Sequence, residues 1–409
     1  MKILWLCGND STYTYKKAML RDADGSWVES LMKVIESEFS EIELSIAYIS
    51  RDNKIVNENI DGIKFFSIRV SAKDKLFHCW EKKLSNRYDD ILKIVKPDLI
   101  QVFGSETELG LIYKNTSVPI ILHIQGVLNN CIRHWYPYNY SSTKELLSNI
   151  KRPVLFFKNL FFRRIRSFSI CIEREILSNI HLYMGRTLWD HAVINEYSSN
   201  NKYYVCNEVL RSTFENAKEL WTWDANRPLR LVSIMNDAVY KGLDTILYTA
   251  RLLKECYKLD FEWTIVGLNN TAIAEEITHI KAETFNIVTV GRKNSRQILD
   301  LLMDATAYVH LSYIENSSNA VCEAQIVGIP VIATHVGGMA SLIEHEENGI
   351  LVPVNEPALV AFYISKLYKD GAFAEKIGKN GHDIAKLRHN SLQIAQRLVD
   401  IYTDVLQNS

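Results

Sequence analysis

Short apolar runs alternate with longer amphipathic stretches from one end of the chain to the other. An apolar run of five or six residues, with no polar face of its own, is satisfied only in a sheet covered on both sides. Parallel strands also need a crossover between them, so this alternation dictates a parallel α/β architecture. In the first half it predicts strands at Lys2–Cys7, Ile42–Ile49, Ile63–Ser67, Leu99–Phe103 and Pro119–Ile124, with helices at Val28–Phe39 and Arg87–Val95. In the second half it predicts strands at Leu229–Ile234, Glu262–Val266, Ile287–Val290, Ala307–His310 and Pro330–Ala333. The helices between them are Leu243–Cys256, Arg296–Asp304 and Asn319–Val327. The first of these carries Leu243, Ile246, Leu247, Ala250 and Leu253 on one helical face.

A chain of 409 residues exceeds what one hydrophobic core usually supports. The periodicity fails between Val205 and Pro228, and Asn226-Arg227-Pro228 breaks the chain before a fresh strand. Two doubly wound domains are therefore expected, 1–210 and 211–390. The amphipathic helix Ser391–Leu406, within 391–409, either packs on its own domain or crosses back to the first. In such sheets ligands bind beyond the carboxyl ends of the strands, and between two such domains the cleft is the expected site.

The formal net charge of -1 gives no basis for broad electrostatic binding to nucleic acid. Cys7, Cys79, Cys131, Cys171, Cys206, Cys256 and Cys322 form no CxxC pair and no Cys/His cluster, so reduced, packed thiols are expected and no metal site. The opening MKILWLCGND turns polar too soon for a signal-peptide core, and no stretch reaches the ~18–20 apolar residues of a membrane span. The expected location is cytoplasmic.

The densest chemistry lies in 308–353, YVHLSYIENSSNAVCEAQIVGIPVIATHVGGMASLIEHEENGILVPV. A strand ends near His310, and Glu315-Asn316-Ser317-Ser318-Asn319 supplies helix-capping residues before a short helix that Gly328 stops. A helix start exposes unpaired N–H groups and a positive dipole end, which suits a phosphate or a polar sugar face. Glu315 precedes this start and Glu323 lies about one turn inside the helix, so both are expected to face one crevice. A carboxylate accepts two hydroxyl hydrogen bonds, the chemistry of a vicinal diol. Glu323 stands among Val321, Cys322, Ala324 and Ile326, where an acid needs a reason.

Glu315-x7-Glu323, Gly328-x-Pro330, Gly337-Gly338, Glu344 and Glu347-Asn348-Gly349-x-Leu351-Val352-Pro353 together resemble the donor-site block of the family-4 (GT4) retaining glycosyltransferases, which have the GT-B fold. The resemblance implies two Rossmann-like domains facing across a cleft. It implies that Glu323 binds the nucleotide ribose, that Glu315 contacts the transferred sugar, and that Asn316, Ser317, Ser318 and Asn319 offer backbone N–H groups to the donor. At Lys241-Gly242 the family places a base that neutralises the donor diphosphate, so Lys241 takes that role and no metal is needed. The family's arginine a few residues earlier is missing from Ser233–Val239; Asn236, Arg292 or another distant base is expected to replace it. Trp263–Gly267 and Ile287–Arg292 look like the family's two strand ends near the nucleotide base, where Gly291 would let the backbone approach and Arg292 would stack on the base or meet a phosphate. Gly25 and Ser26 match its small-residue loop over the donor.

On the acceptor or sugar side stand Gln125, where many relatives have histidine, then His123 two residues earlier, and Arg186 in GRTLWD. His123 reads as a packed core residue more than a catalytic one. The stretch Ile172–Asp190 resembles members that build bacterial surface polysaccharides. Val154–Phe168, VLFFKNLFFRRIRSF, interleaves rings with cations as an interfacial helix does, and Phe157, Phe161, Ile165 and Phe168 align. The aromatic stretch Arg133–Tyr138 has the composition of an acceptor loop.

The chain therefore reads as a metal-independent retaining glycosyltransferase. It would move a hexose-type sugar from a UDP- or GDP-linked donor, with no cofactor, to a lipid-linked glycan acceptor in bacterial surface polysaccharide synthesis. Residues 154–168 would place it at the inner face of the cytoplasmic membrane. The rival readings are a GT-B transferase with a soluble acceptor and a non-catalytic nucleotide-sugar binder of an assembly complex.

Overall fold

The computed structural model describes residues 1–9, 11–18, 26–50, 55–69, 80–138, 140–148, 150 and 153–408. They form two compact units, one of 1–129, 165–209 and 390–409, the other of 130–164 and 210–389.

The first unit is built on an eight-stranded sheet of order β3-β4-β2-β1-β5-β6-β7-β8. Its strands are β1 (Lys2–Cys7), β2 (Glu43–Ile49), β3 (Asn57–Ile60), β4 (Ile63–Ile68), β5 (Leu99–Phe103), β6 (Ile120–His123), β7 (Leu182–Gly185) and β8 (Lys202–Val205). All neighbours are parallel except the β3–β4 pair. Ile3, Trp5, Phe65 and Ile121 pack on one face, and Leu4, Leu6, Ile100 and Leu122 on the other, the two-sided burial that the unbroken apolar runs require.

Helix Trp80–Val95 starts seven residues before its expected Arg87. The polar run Glu81–Lys83 masks a stripe of Trp80, Leu84, Tyr88, Ile91 and Val95, all buried. Helix Ser391–Gln407 belongs to this unit and buries Ile394, Leu398, Ile401, Tyr402 and Val405. The Tyr402 hydroxyl accepts from Trp5 Nε1 at 2.9 Å and donates to Gln101 Oε1.

Residues 154–168 lie in a helix of 27 residues, Pro153–Asn179, about 40 Å long at 1.5 Å per residue. Its character changes along its length. Val154, Phe157, Leu160, Phe161 and Phe162 are exposed, whereas Ile172, Ile176 and Leu177 are buried. Phe168, in between, meets Trp80 edge-on at 5.3 Å. Among the described residues no helix is long and apolar enough to cross a membrane.

The second unit has a six-stranded sheet of order β11-β10-β9-β12-β13-β14, parallel throughout. Its strands are β9 (Leu229–Ile234), β10 (Phe261–Val266), β11 (Ile287–Thr289), β12 (Ala307–His310), β13 (Val331–Thr334) and β14 (Ile350–Val352). Helices Leu243–Glu255, Ser295–Asp304, Asn319–Ile326, Pro357–Lys369 and Gly371–Arg388 belong to the same unit. The order turns at β9, with β10 on one side and β12 on the other. The loops after β9 and β12 therefore emerge side by side at the carboxyl edge, where doubly wound sheets bind ligands.

Candidate active site

Two loops form the centre of the site in the second unit. After β9 the chain makes a tight turn at Val239–Lys241 and enters helix Leu243–Glu255 through Gly242, which has φ 76°. A Cβ at Gly242 would lie 1.9 Å from the carbonyl oxygen of Leu311, so only glycine lets the two loops touch. The second loop follows β12 and runs through Leu311–Ser318 to helix Asn319–Ile326. Tyr313 N–H donates to Tyr240 C=O at 2.7 Å, and the Tyr313 hydroxyl donates to Asp244, pinning the loops together. A third segment closes on Glu315 from behind. Gly337, φ 51°, passes so close that a Cβ would sit 1.9 Å from the Glu315 carbonyl oxygen, and Gly338 N–H donates to that oxygen at 3.0 Å.

These constraints place Lys241 Nζ 2.6 Å from Glu315 Oε2. The same oxygen lies 3.1 Å from His310 Nε2 and accepts from the Ser312 hydroxyl at 3.4 Å. Burial by itself would raise the Glu315 carboxyl; the Lys241 ammonium and His310 outweigh it and hold the group well below the usual carboxylate range. Burial likewise opposes the charge on Lys241, and Glu315 more than restores it, so the lysine stays cationic. His310 is linked through Nδ1 to the Tyr308 hydroxyl at 3.1 Å. Burial, then the charges of Glu315 and Glu323, push that phenol up, so Tyr308 senses both carboxylates.

Glu323 is engaged differently. Its two oxygens accept from Arg211, Nε to Oε1 and Nη2 to Oε2, each at 2.6 Å. Arg211 Nη1 donates to the Ser295 hydroxyl at 2.9 Å. Arg211 was not among the residues singled out in the sequence, and neither was His310. No local pattern marks Arg211, which is 112 positions from its partner. Asn316, Ser317 and Ser318 are buried at the start of helix Asn319–Ile326. Ser318 occupies the N-cap without a side-chain capping bond, and Asn319 opens the helix.

Asn236 and Arg292 line one cavity of about 730 Å³, together with Gly267, Asn269, Leu243 and Ile273. Asn236 Oδ1 also accepts from Ala238 N–H at 3.1 Å. Gly291 sits at the mouth of the β11 loop, its N–H donating to Leu268 C=O at 2.9 Å. Trp135, from the aromatic stretch, packs on Tyr240 with ring centroids 4.9 Å apart, next to Lys241.

In the first unit, Gly25 lies outside the described residues. Ser26 is the N-cap of helix Trp27–Glu38, its hydroxyl 3.2 Å from that of Ser11. Gln125 Nε2 donates to Glu208 Oε1 at 2.9 Å, and Arg186 Nη1 pairs with Glu208 Oε2 at 2.7 Å. The Arg186 side chain is 4% exposed, so its charge is spent inside the fold on Glu208. His123 is buried against Trp27 and Phe103, with Gln101 Nε2 3.2 Å from its Nδ1. Burial, then the Arg186 charge, depress it to about 3, so it is neutral.

Residues 223–383 match the family model described as glycosyl transferases group 1. The amylovoran biosynthesis glycosyltransferase AmsK of Erwinia amylovora is 28% identical over 191 residues, covering 44% of this chain and 45% of that protein. The alignments to three curated relatives cover 33%, 45% and 32% of their lengths, less than half of each. Among solved structures, sucrose-phosphate synthase of Thermosynechococcus elongatus superposes with a TM-score of 0.72 at 16% identity, covering 100% of both chains. HepE of Anabaena, in complex with UDP-glucose, superposes at 0.66 and 14% identity, covering 99% of this chain and 100% of that one. At such identities the likeness carries the fold, which is GT-B.

Proposed function

We propose, from the premise that residues 223–383 are a group 1 glycosyl transferase domain, that the chain transfers a hexose-type sugar from a nucleotide-sugar donor with retention of configuration. The observation that carries this reading is the half-buried Lys241–Glu315 pair, 2.6 Å apart, beside the start of helix Asn319–Ile326. In this reading Lys241 exchanges part of its contact with Glu315 for the donor diphosphate. It then stabilises the charge that develops as the nucleoside diphosphate leaves, without a metal. Glu315, freed in part, accepts from the hydroxyls of the transferred sugar. Glu323 holds the ribose. Asn236 and Arg292 face the nucleotide from the 730 Å³ cavity, and Arg292 supplies a second positive charge. The acceptor oxygen bonds to the anomeric carbon on the face the diphosphate leaves, and its proton passes to the departing phosphate oxygen, so no protein nucleophile is required.

The likeness to AmsK supports a role in surface polysaccharide synthesis, and the likeness to the UDP-glucose complex supports a UDP-linked donor. The exposed rings of Val154–Phe162, followed by Arg163, Arg164 and Arg166, support a lipid-linked acceptor and a peripheral seat on an anionic membrane face. A thermal-shift panel of UDP-, GDP-, ADP- and TDP-sugars tests the binding step, because a ligand of the folded state raises its apparent stability. At least one is expected to raise the melting temperature, and its slow hydrolysis is expected to vanish in Glu315→Ala. A panel with no shift refutes the reading; binding with no turnover under any acceptor leaves a nucleotide-sugar binder instead.

A further inference from the structure

We propose that Arg211 is a positioning residue for the nucleotide ribose, acting through Glu323. The inference rests on the reading of Glu323 as the ribose-binding carboxylate and adds what makes that carboxylate able to bind.

Glu323 sits on a short helix among Val321, Cys322 and Ala324, all fully buried, and its own side chain is 4% exposed. To accept from two neighbouring hydroxyls, the two oxygens of that carboxylate must be held in one plane facing them. Two parallel bonds of 2.6 Å from Arg211, Nε to Oε1 and Nη2 to Oε2, fix that plane. This uses one acceptor position on each oxygen out of the roughly four that a carboxylate carries.

Arg211 is itself held. Its third nitrogen donates to Ser295 Oγ, on a residue with no exposed surface, at 2.9 Å. Its guanidinium carbon lies 4.9 Å from the centre of the Phe214 ring. Three restraints on one guanidinium make a rigid support, so the carboxylate plane is set before any nucleotide arrives. Lysine in its place offers a single ammonium and no fork.

The test compares binding of UDP with dUDP, and of GDP with dGDP, to the full chain by calorimetric titration. The native chain is expected to prefer the ribonucleotide of the pair it binds. Arg211→Met is expected to reduce that preference roughly tenfold, the equivalent of one lost hydrogen bond to a charged group. Arg211→Lys is expected to fall between the two. Glu323→Gln is expected to abolish the preference, and adding Arg211→Met to it to change the ratio no further.

A purely structural role would lower the melting temperature and weaken both members of a pair alike. An unchanged ribo-to-deoxy ratio in Arg211→Met therefore overturns the proposal. Should that variant not fold, the ratio in Arg211→Lys decides in the same way. An unchanged ratio in Glu323→Gln instead refutes the ribose reading of Glu323, and the proposal falls with it. A native chain that shows no ribonucleotide preference in the pair it binds overturns both.

Discussion

Two half-buried carboxylates, Glu315 and Glu106, show how surroundings set chemistry at the residue scale. Glu315 is held ionised because Lys241 and His310 converge on one of its oxygens. Glu106, in the loop after β5, has backbone N–H partners at Ser105, Gly126 and its own position, yet burial and the nearby Glu173 carboxylate raise it to about 7. The sign of the consequence follows from proton binding. Between the ordinary value of 4.5 and about 7, the unfolded chain sheds this proton while the folded chain keeps it. Stability from this group therefore falls as pH rises through that window and levels off above it. Melting temperatures of the native chain and Glu106→Gln, measured across that window and a little beyond each end, should diverge in slope within it, the variant lacking this component. Glu315, Glu323 and Lys241 of the candidate site were singled out in the sequence by the fixed spacings of one segment and by the Lys-Gly turn. Arg211 and His310 were not. One is brought to Glu323 only by the fold, and the other looks like any polar end of a strand.

Elements carry the next level of prediction. Helix Ser391–Gln407 was visible from its period, but the period says nothing of where its apolar face goes. The structure packs it on the first unit, where the Tyr402 hydroxyl satisfies both Trp5 Nε1 and Gln101. Tyr402→Phe leaves two buried polar groups without that partner, at a cost of about 1–3 kcal/mol. Chemical denaturation should show the loss as a lower midpoint at an unchanged slope. Helix Pro153–Asn179 poses the opposite case: the expected segment 154–168 covers only its first half and a little more. Exposed Val154, Phe157, Phe161 and Phe162 beside Arg163 and Arg164 lead to a vesicle prediction. The chain should co-sediment with vesicles rich in phosphatidylglycerol and less with neutral ones. Phe157→Glu/Phe161→Glu should lose most of that binding while its melting temperature stays unchanged. Binding that survives the double substitution removes this helix from the membrane reading.

At the scale of the whole molecule, each unit has its own sheet and its own apolar core. Separate cores unfold as separate cooperative steps when their coupling is weak. Scanning calorimetry of the full chain should therefore give a calorimetric enthalpy larger than the van't Hoff value. If the proposed site binds a nucleotide, the ligand should raise the step that belongs to residues 210–389, by about 2.7 kcal/mol at a ligand concentration of roughly a hundred times Kd. A single two-state transition would show that the units unfold as one.

What the sequence alone determined is the class of fold and the segment that carries Glu315 and Glu323. Unbroken apolar runs permit only doubly covered parallel strands, and spacing within one loop and helix survives any rearrangement of the rest. Tertiary structure decided which charges meet. It spent Arg186 on Glu208 inside the first unit, gave Glu323 a guanidinium from 112 positions away, and set His310 against Glu315. The reason is physical. Periodicity encodes which face of an element is buried, but an ion pair depends on where two chain segments cross, and that is fixed only when the sheets and their loops are assembled.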